Sequence, residues 1–261
     1  MQALKIAATG MAAQQLRVTV TSNNIANMST TGYDPRRAEF ADLHYRQIRT
    51  PGSITAASGE VLPSGVQLGL GVRPAAVGLE VAQGSSRQTG GELDIAIEGS
   101  GFLEIAMPDG GAAYTRDGAL KVSADGEIVT SEGYALVPGI TVPEDAREIV
   151  INPDGGIYAR FDGQVDLQQI GDLTLASFVN VKGLEALGDN LFRETAASGP
   201  PAVDAPGQAG RGLLRQGYLE DSAVDAVSEI TELIEAQRGY ELNSQVLKAA
   251  DEMLATSSRL R

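Results

Sequence analysis

The 261-residue chain contains no cysteine, no tryptophan and a single histidine, His44. Without cysteine there is no disulfide framework, thiolate metal site or cysteine nucleophile. With one histidine there is no paired-histidine metal centre, and His44, between Leu43 and Tyr45, reads as structural. No stretch approaches the ~18 consecutive apolar residues of a membrane-spanning helix, so no membrane insertion is expected. The first twenty residues carry Lys5 but are interrupted by Gln14, Gln15 and Arg17 before a leader-type apolar core can form, which argues against a cleaved signal peptide.

Positive charge is also scarce. Twenty Lys and Arg stand against 34 Asp and Glu, a net charge of −14, distributed as +1 over residues 1–45, −10 over 46–217 and −5 over 218–261. No segment is basic enough to displace counterions from a phosphate backbone, so nucleic acid is excluded as a partner. Helix breakers are scarce at the two ends only: residues 46–217 hold 28 of the 31 glycines and 10 of the 11 prolines. The ends and the middle therefore follow different structural rules.

At the N-terminus, Leu4, Ala8, Met11, Gln15, Val18, Ser22 and Ile25 recur at three- and four-residue spacing. This is a narrow helical seam of the coiled-coil kind rather than a broad amphipathic face. The helix should stop near Asn27, where Ser29, Thr30, Thr31 and Gly32 favour a turn. The C-terminus repeats the pattern with Ala226, Ile230, Leu233, Gln237, Tyr240, Ser244, Leu247, Asp251 and Leu254, and Asp221 or Ser222 can cap its start. Polar Gln237, Ser244 and Asp251 fall seven apart, consistent with register setting, with a partly solvated face, or with a helix packed among several others beside a water-filled space. Neither seam lies near the middle segment in sequence. The economical solution is that the two ends meet each other, and copies of themselves.

Between the ends the period becomes two. Leu93–Glu98, Phe102–Ile105, Tyr114–Arg116, Ala119–Val122, Glu127–Thr130, Tyr134–Val137, Glu148–Ile151, Gly156–Arg160 and Leu173–Val179 read as short strands, punctuated by Asp-Gly pairs at Asp109, Asp117, Asp125, Asp154 and Asp162. The fold class expected is a mainly β body with long terminal helices, and residues 46–70 and 196–212 read as extended connectors. Catalytic motifs are missing: Gly69-Leu70-Gly71 opens onto Pro74 rather than a helix, and no phosphate-binding loop or nucleophile elbow occurs. The Asn152–Gly155 turn lacks the ligand alternation of a calcium loop. No enzyme, cofactor or metal is expected.

The run from Thr21 to Tyr33, with Asn23, Asn24, Ala26, Asn27, Gly32 and Tyr33, resembles the N-terminal signature of the flagellar axial proteins that build rod, hook and hook-associated structures. Gly217–Glu220 and Glu235–Ser244, with Gln237, Arg238, Tyr240, Glu241 and Asn243, are similar to the C-terminal signature of the same family. Further stretches resemble its basal-body distal-rod branch, including Ala38–Leu43, Pro51 and Gly52, Leu62, Pro63 and Gly65, Gly71–Pro74, Gly99–Phe102 and Ala113–Gly118. One departure is Asp34, where the family commonly has lysine after the aromatic residue.

The resemblance implies a self-assembling subunit of a hollow helical rod crossing the periplasm, exported by the flagellar type III apparatus without signal cleavage. It also implies an inner core of terminal helices, built on Leu4, Met11, Val18, Ile25, Ile230, Leu233, Tyr240, Leu247 and Leu254. The division implied is a helical domain of residues 1–30 plus 219–261, connectors of 31–74 plus 192–218 with a rod-specific segment at 46–68, and an antiparallel β domain of 75–191. Implied partners are proximal-rod proteins, hook protein and the P and L rings. Asn23, Asn24 and Asn27 read equally as helix-ending residues or as intersubunit contacts. Other readings are a proximal-rod or hook subunit of the same family, or a secreted carbohydrate-binding or hydrolytic β domain.

Overall fold

In the computed structural model, residues 2–52, 64–162 and 166–259 are described. Two helices and twenty short strands occur among them, and the chain divides into two compact units. One comprises Met1–Ile25, Arg36–Gly78 and Ala226–Arg261; the other comprises Ala26–Pro35 and Leu79–Asp225. Both are discontinuous in sequence.

In the first unit, α1 spans Gln2–Ala26 and α2 spans Ala226–Arg259. The first ends where the turn residues begin. The second starts later than its capping residues suggest, because Ser222 Oγ accepts a hydrogen bond from the Val224 N–H at 3.3 Å and is held in a local turn. The helices pack antiparallel at constant register. Gly10 lies against Asn243, Gln14 against Gly239 and Asn24 against Glu229, so each step along α1 is matched by an equal step back along α2.

Beside the helices runs a two-stranded ribbon: β1 (Arg36–Asp42), β2 (Tyr45–Arg49), β3 (Val66–Gly69) and β4 (Val72–Leu79). The antiparallel β2–β3 ladder pairs Tyr45 with Gly69 and continues through Leu70 N–H to His44 C=O and Leu43 N–H to Gly71 C=O toward β1 and β4. Every residue of β2 is exposed, including Tyr45 and Ile48. The segment was expected as a connector because such a ribbon has no buried face and so no apolar alternation to read.

The second unit holds the sequence-predicted β body. Its largest sheet has five strands in the order Leu136–Val137, Leu103–Ala106, Ala112–Thr115, Leu191–Arg193 and Glu185–Gly188. A three-stranded sheet, Ala146–Ile151, Gly156–Phe161 and Gln168–Asp172, is also antiparallel. The aliphatic core gathers Ile95, Ile97, Leu103, Ile128, Leu136, Ile157, Leu173 and Leu175. An aromatic cluster joins it, with Phe178 edge-on to Tyr114 at 4.8 Å and to Phe102 at 6.0 Å between ring centroids. Three of the five Asp-Gly turns have the positive φ expected of such glycines, at Gly110, Gly126 and Gly155, and Asp109 Oδ1 accepts the Gly111 N–H at 3.0 Å. Gly118 does not adopt positive φ, Asp117 instead accepting the Ala119 N–H at 3.0 Å, and Gly163 lies outside the described residues.

Candidate assembly site

The helix pair of the first unit is closed by small and polar residues. A Cβ on Gly10 would stand 2.7 Å from Asn243 Oδ1, and one on Gly239 would stand 3.0 Å from the Gln14 side chain. Each helix thus has a glycine where the other projects an amide, which permits close approach. Ala7, Ala13 and Ala236 are buried, with Ala236 fully so. Asn243 Nδ2 also donates to Gly239 C=O at 2.8 Å, so its orientation is fixed.

Asn24 ends the shared face. It is 2 % exposed; its Oδ1 accepts the Arg36 N–H at 2.9 Å, and its Nδ2 donates to Arg36 C=O at 2.9 Å and Glu229 Oε1 at 3.1 Å. One side chain therefore imitates a strand partner for β1 and bridges to α2. Asn27 Oδ1 accepts the Thr30 hydroxyl at 3.1 Å, within the turn that follows α1.

The seam residues flank this closed face. Leu4, Met11, Val18, Ile25, Leu233 and Leu247 are half-buried, whereas Ile230, Tyr240 and Leu254 are 50 %, 43 % and 41 % exposed. On an α-helix they share one flank, and for two antiparallel helices the two flanks open to the same side. A groove of about 360 Å³ lies there, lined by Gln15, Val18, Gln237, Tyr240 and Glu241. On the other side is a pocket of about 240 Å³ lined by Arg17, Arg36, Arg37, Phe40 and Glu232. Two loose charge pairs border it, Glu232 lying 3.9 Å from Arg17 and 3.8 Å from Arg37.

The second unit contains the turn of the N-terminal signature. Gly32 adopts φ +63°, its N–H donates to Glu220 C=O at 2.8 Å, and a Cβ there would stand 2.9 Å from the Arg116 backbone carbon. Tyr33 C=O accepts the Ala223 N–H at 3.0 Å, so the segments entering and leaving the body are bonded side by side. Beneath them Arg116 pairs with Glu220, Nη2 to Oε2 at 2.7 Å, and its Nη1 donates to Gly101 C=O at 3.0 Å. Glu220 Oε1 accepts the Gly84 N–H at 2.9 Å.

Asp34, 4 % exposed, completes this cluster. Its Oδ1 accepts the Ala82 N–H at 3.4 Å, and its buried Oδ2 has no hydrogen-bond partner among the described residues. Burial pushes its carboxyl up to about 6, against the opposing pull of Arg116 and the Ala82 N–H, with Glu220 adding to the rise.

Among the signature residues, Gln237, Tyr240 and Glu241 gather at the groove and Asn243 at the closed face, while Arg238 is exposed and makes no ion pair among the described residues. Of the rod-specific residues, Gly65 sits against the Arg49 carbonyl and Pro51, with Gly52 nearby in the chain; Leu62 and Pro63 lie outside the described residues. Gly10, Gln14, Gly239 and the Arg116–Glu220 pair were not singled out from sequence. An isolated glycine inside a helix, at 10 and at 239, was the available signal of close packing. No group of His, Asp and Glu suited to a metal occurs among the described residues.

Comparison with known proteins adds three family matches along the chain. Residues 4–33 match the family described as flagella basal body rod protein, 96–159 the flagellar hook protein FlgE/F/G D1 domain, and 215–260 the flagellar basal body rod FlgEFG protein C-terminal family. The chain is 51 % identical over 261 residues, all of both chains, to the flagellar basal-body rod protein FlgG of Caulobacter vibrioides. It is 48 % identical over 259 residues to that of Agrobacterium fabrum, covering 99 % of each chain. Against that of Borreliella burgdorferi it is 41 % identical over 263 residues, covering 100 % of this chain and 99 % of the other.

Proposed function

The chain belongs to the FlgG family of flagellar basal-body rod proteins, and from that premise we propose that it is the distal-rod subunit. Its copies polymerise into a stiff hollow shaft that carries motor torque to the hook and passes exported subunits along its bore. The terminal helices form the inner core of the shaft. The shaft crosses the periplasm between proximal-rod proteins and hook protein, within the P and L rings, after export through the flagellar type III apparatus without signal cleavage.

One observation in the single chain supports this reading above others. The two ends of the polypeptide pair through glycine and amide contacts, while apolar seam residues Ile230, Tyr240 and Leu254 stay exposed. A helix that exposes such residues is completed by further helices. The ribbon at Tyr45–Arg49 and Val66–Gly69 supports a bracing role for segment 46–68, since an isolated two-stranded ribbon is marginal in water. Complementation of a motile strain deleted for its own rod subunit tests the proposal. Swimming should return and a labelled copy should purify with basal bodies. Complete hook-basal bodies lacking the label would overturn it.

A further inference from the structure

The groove on one flank of the helix pair has a counterpart on the other. Leu242, Val246 and Met253, spaced four and seven apart, form an apolar ridge on α2 and are 62 %, 52 % and 67 % exposed. By helical rotation this ridge points away from the flank carrying Gln237, Tyr240 and Ser244. One surface is a groove and the other carries exposed apolar side chains, and the same helix, α2, contributes to both.

Two unused charges accompany them. Glu241 lines the groove and Arg238 stands one turn before Leu242 at the edge of the ridge. Both are exposed and, among the described residues, neither makes an ion pair, although they are three residues apart on one helix. Groove against groove, the two-fold arrangement of a closed dimer, would set Glu241 against its own copy. Ridge into groove brings Arg238 to Glu241 instead.

We propose that the occupant of the groove is the Leu242–Val246–Met253 ridge of a second copy, with the incoming Arg238 paired to Glu241. The contact is heterologous, joining two different patches, so each added copy presents a fresh groove or ridge and the array stays open. This assigns the C-terminal signature two tasks. Gly239 and Asn243 close the chain on itself, and Gln237, Arg238, Tyr240 and Glu241 join it to the next copy. The inference rests on the rod-subunit reading above and specifies which surfaces of the helical core meet.

Charge exchange tests it in the same deletion strain. Arg238→Glu and Glu241→Arg should each reduce assembled rods roughly tenfold, because either change opposes like charges at every contact. The double exchange, Arg238→Glu with Glu241→Arg, should restore assembly. Helix content of each purified variant, read by circular dichroism, should match the parent. Normal assembly by both single variants, or no recovery in the double variant, overturns the pairing.

A covalent readout is independent of charge. Because the chain has no cysteine, Met11→Cys on one copy and Leu242→Cys on another provide a background-free pair. Met11 lies one turn before Gln15 on the groove flank. Oxidation of basal bodies containing both variants should link two chains, and absence of the link overturns the docking. If the parent chain itself fails to enter basal bodies, the rod-subunit reading fails and the docking falls with it.

Discussion

Arg116 Nη2 meets Glu220 Oε2 at 2.7 Å with side chains only 5 % and 3 % exposed, although 104 residues separate them in sequence. Removing one member of such a pair leaves a buried charge uncompensated. Arg116→Leu should therefore destabilise the β unit by about 3–5 kcal/mol, because Glu220 would then share the interior with Asp34. Calorimetric melting of the full chain gives the value. A loss near zero would mean that the pair is open to water.

Asp34→Asn should stabilise the protein at neutral pH. The carboxyl titrates near 6 when folded and near 3.8 when exposed, so the folded state binds the proton more tightly. The parent is therefore most favoured below about pH 4 and loses stability as pH rises toward 6, by about 3 kcal/mol for a shift of this size. The amide carries no such dependence. Urea unfolding from pH 4 to 8 should show a gap that opens between those values and stays constant above them. Parallel curves would contradict the assignment.

Gly32→Ala combines two penalties. The left-handed backbone costs a side-chain-bearing residue about 1–2 kcal/mol. Contact with the Arg116 backbone, which cannot swing aside as a side chain can, adds to it. The melting temperature should fall, and Gly52→Ala, also at positive φ but with nothing within 4 Å of its Cβ position among the described residues, should lower it less.

Gly10→Val should separate the helices, since its branched side chain meets Asn243, itself anchored to Gly239 C=O. Rod assembly and swimming should be lost while the melting transition of the β unit is unchanged. Gly10→Ala should be milder, because Asn243 is a side chain and alanine gains about 1 kcal/mol of helix propensity over glycine.

Much of this organisation was legible in the sequence because the code for it is local. The scarcity of breakers marked both helices, the strand readings at Leu93–Glu98 and Gly156–Arg160 overlap the observed Ile95–Glu98 and Gly156–Phe161, and three Asp-Gly pairs marked turns. What stayed hidden depends on residues far apart. The seams were visible, but the face on which the helices close is set by Gly10, Gln14, Gly239 and Asn243, whose small or polar side chains give no hydrophobic period. β2 and β3 escaped because all of β2 and all but the last residue of β3 are exposed. The pairing of Arg116 with Glu220, and the burial of Asp34 beside them, arise only when distant segments are brought together.

The antiparallel closure of α1 on α2 joins the first residues of the polypeptide to nearly the last. For a chain delivered from its N-terminus, α1 emerges early and has no partner until α2 follows, so the long-range step comes last. The β unit ends before α2 begins and can close sooner. A copy truncated before residue 226 could thus form a sound β body yet offer neither groove nor ridge to its neighbours. Under the docking proposed above, completeness of the chain is a condition of joining a second copy, set by the same glycine and asparagine contacts that hold the helices together.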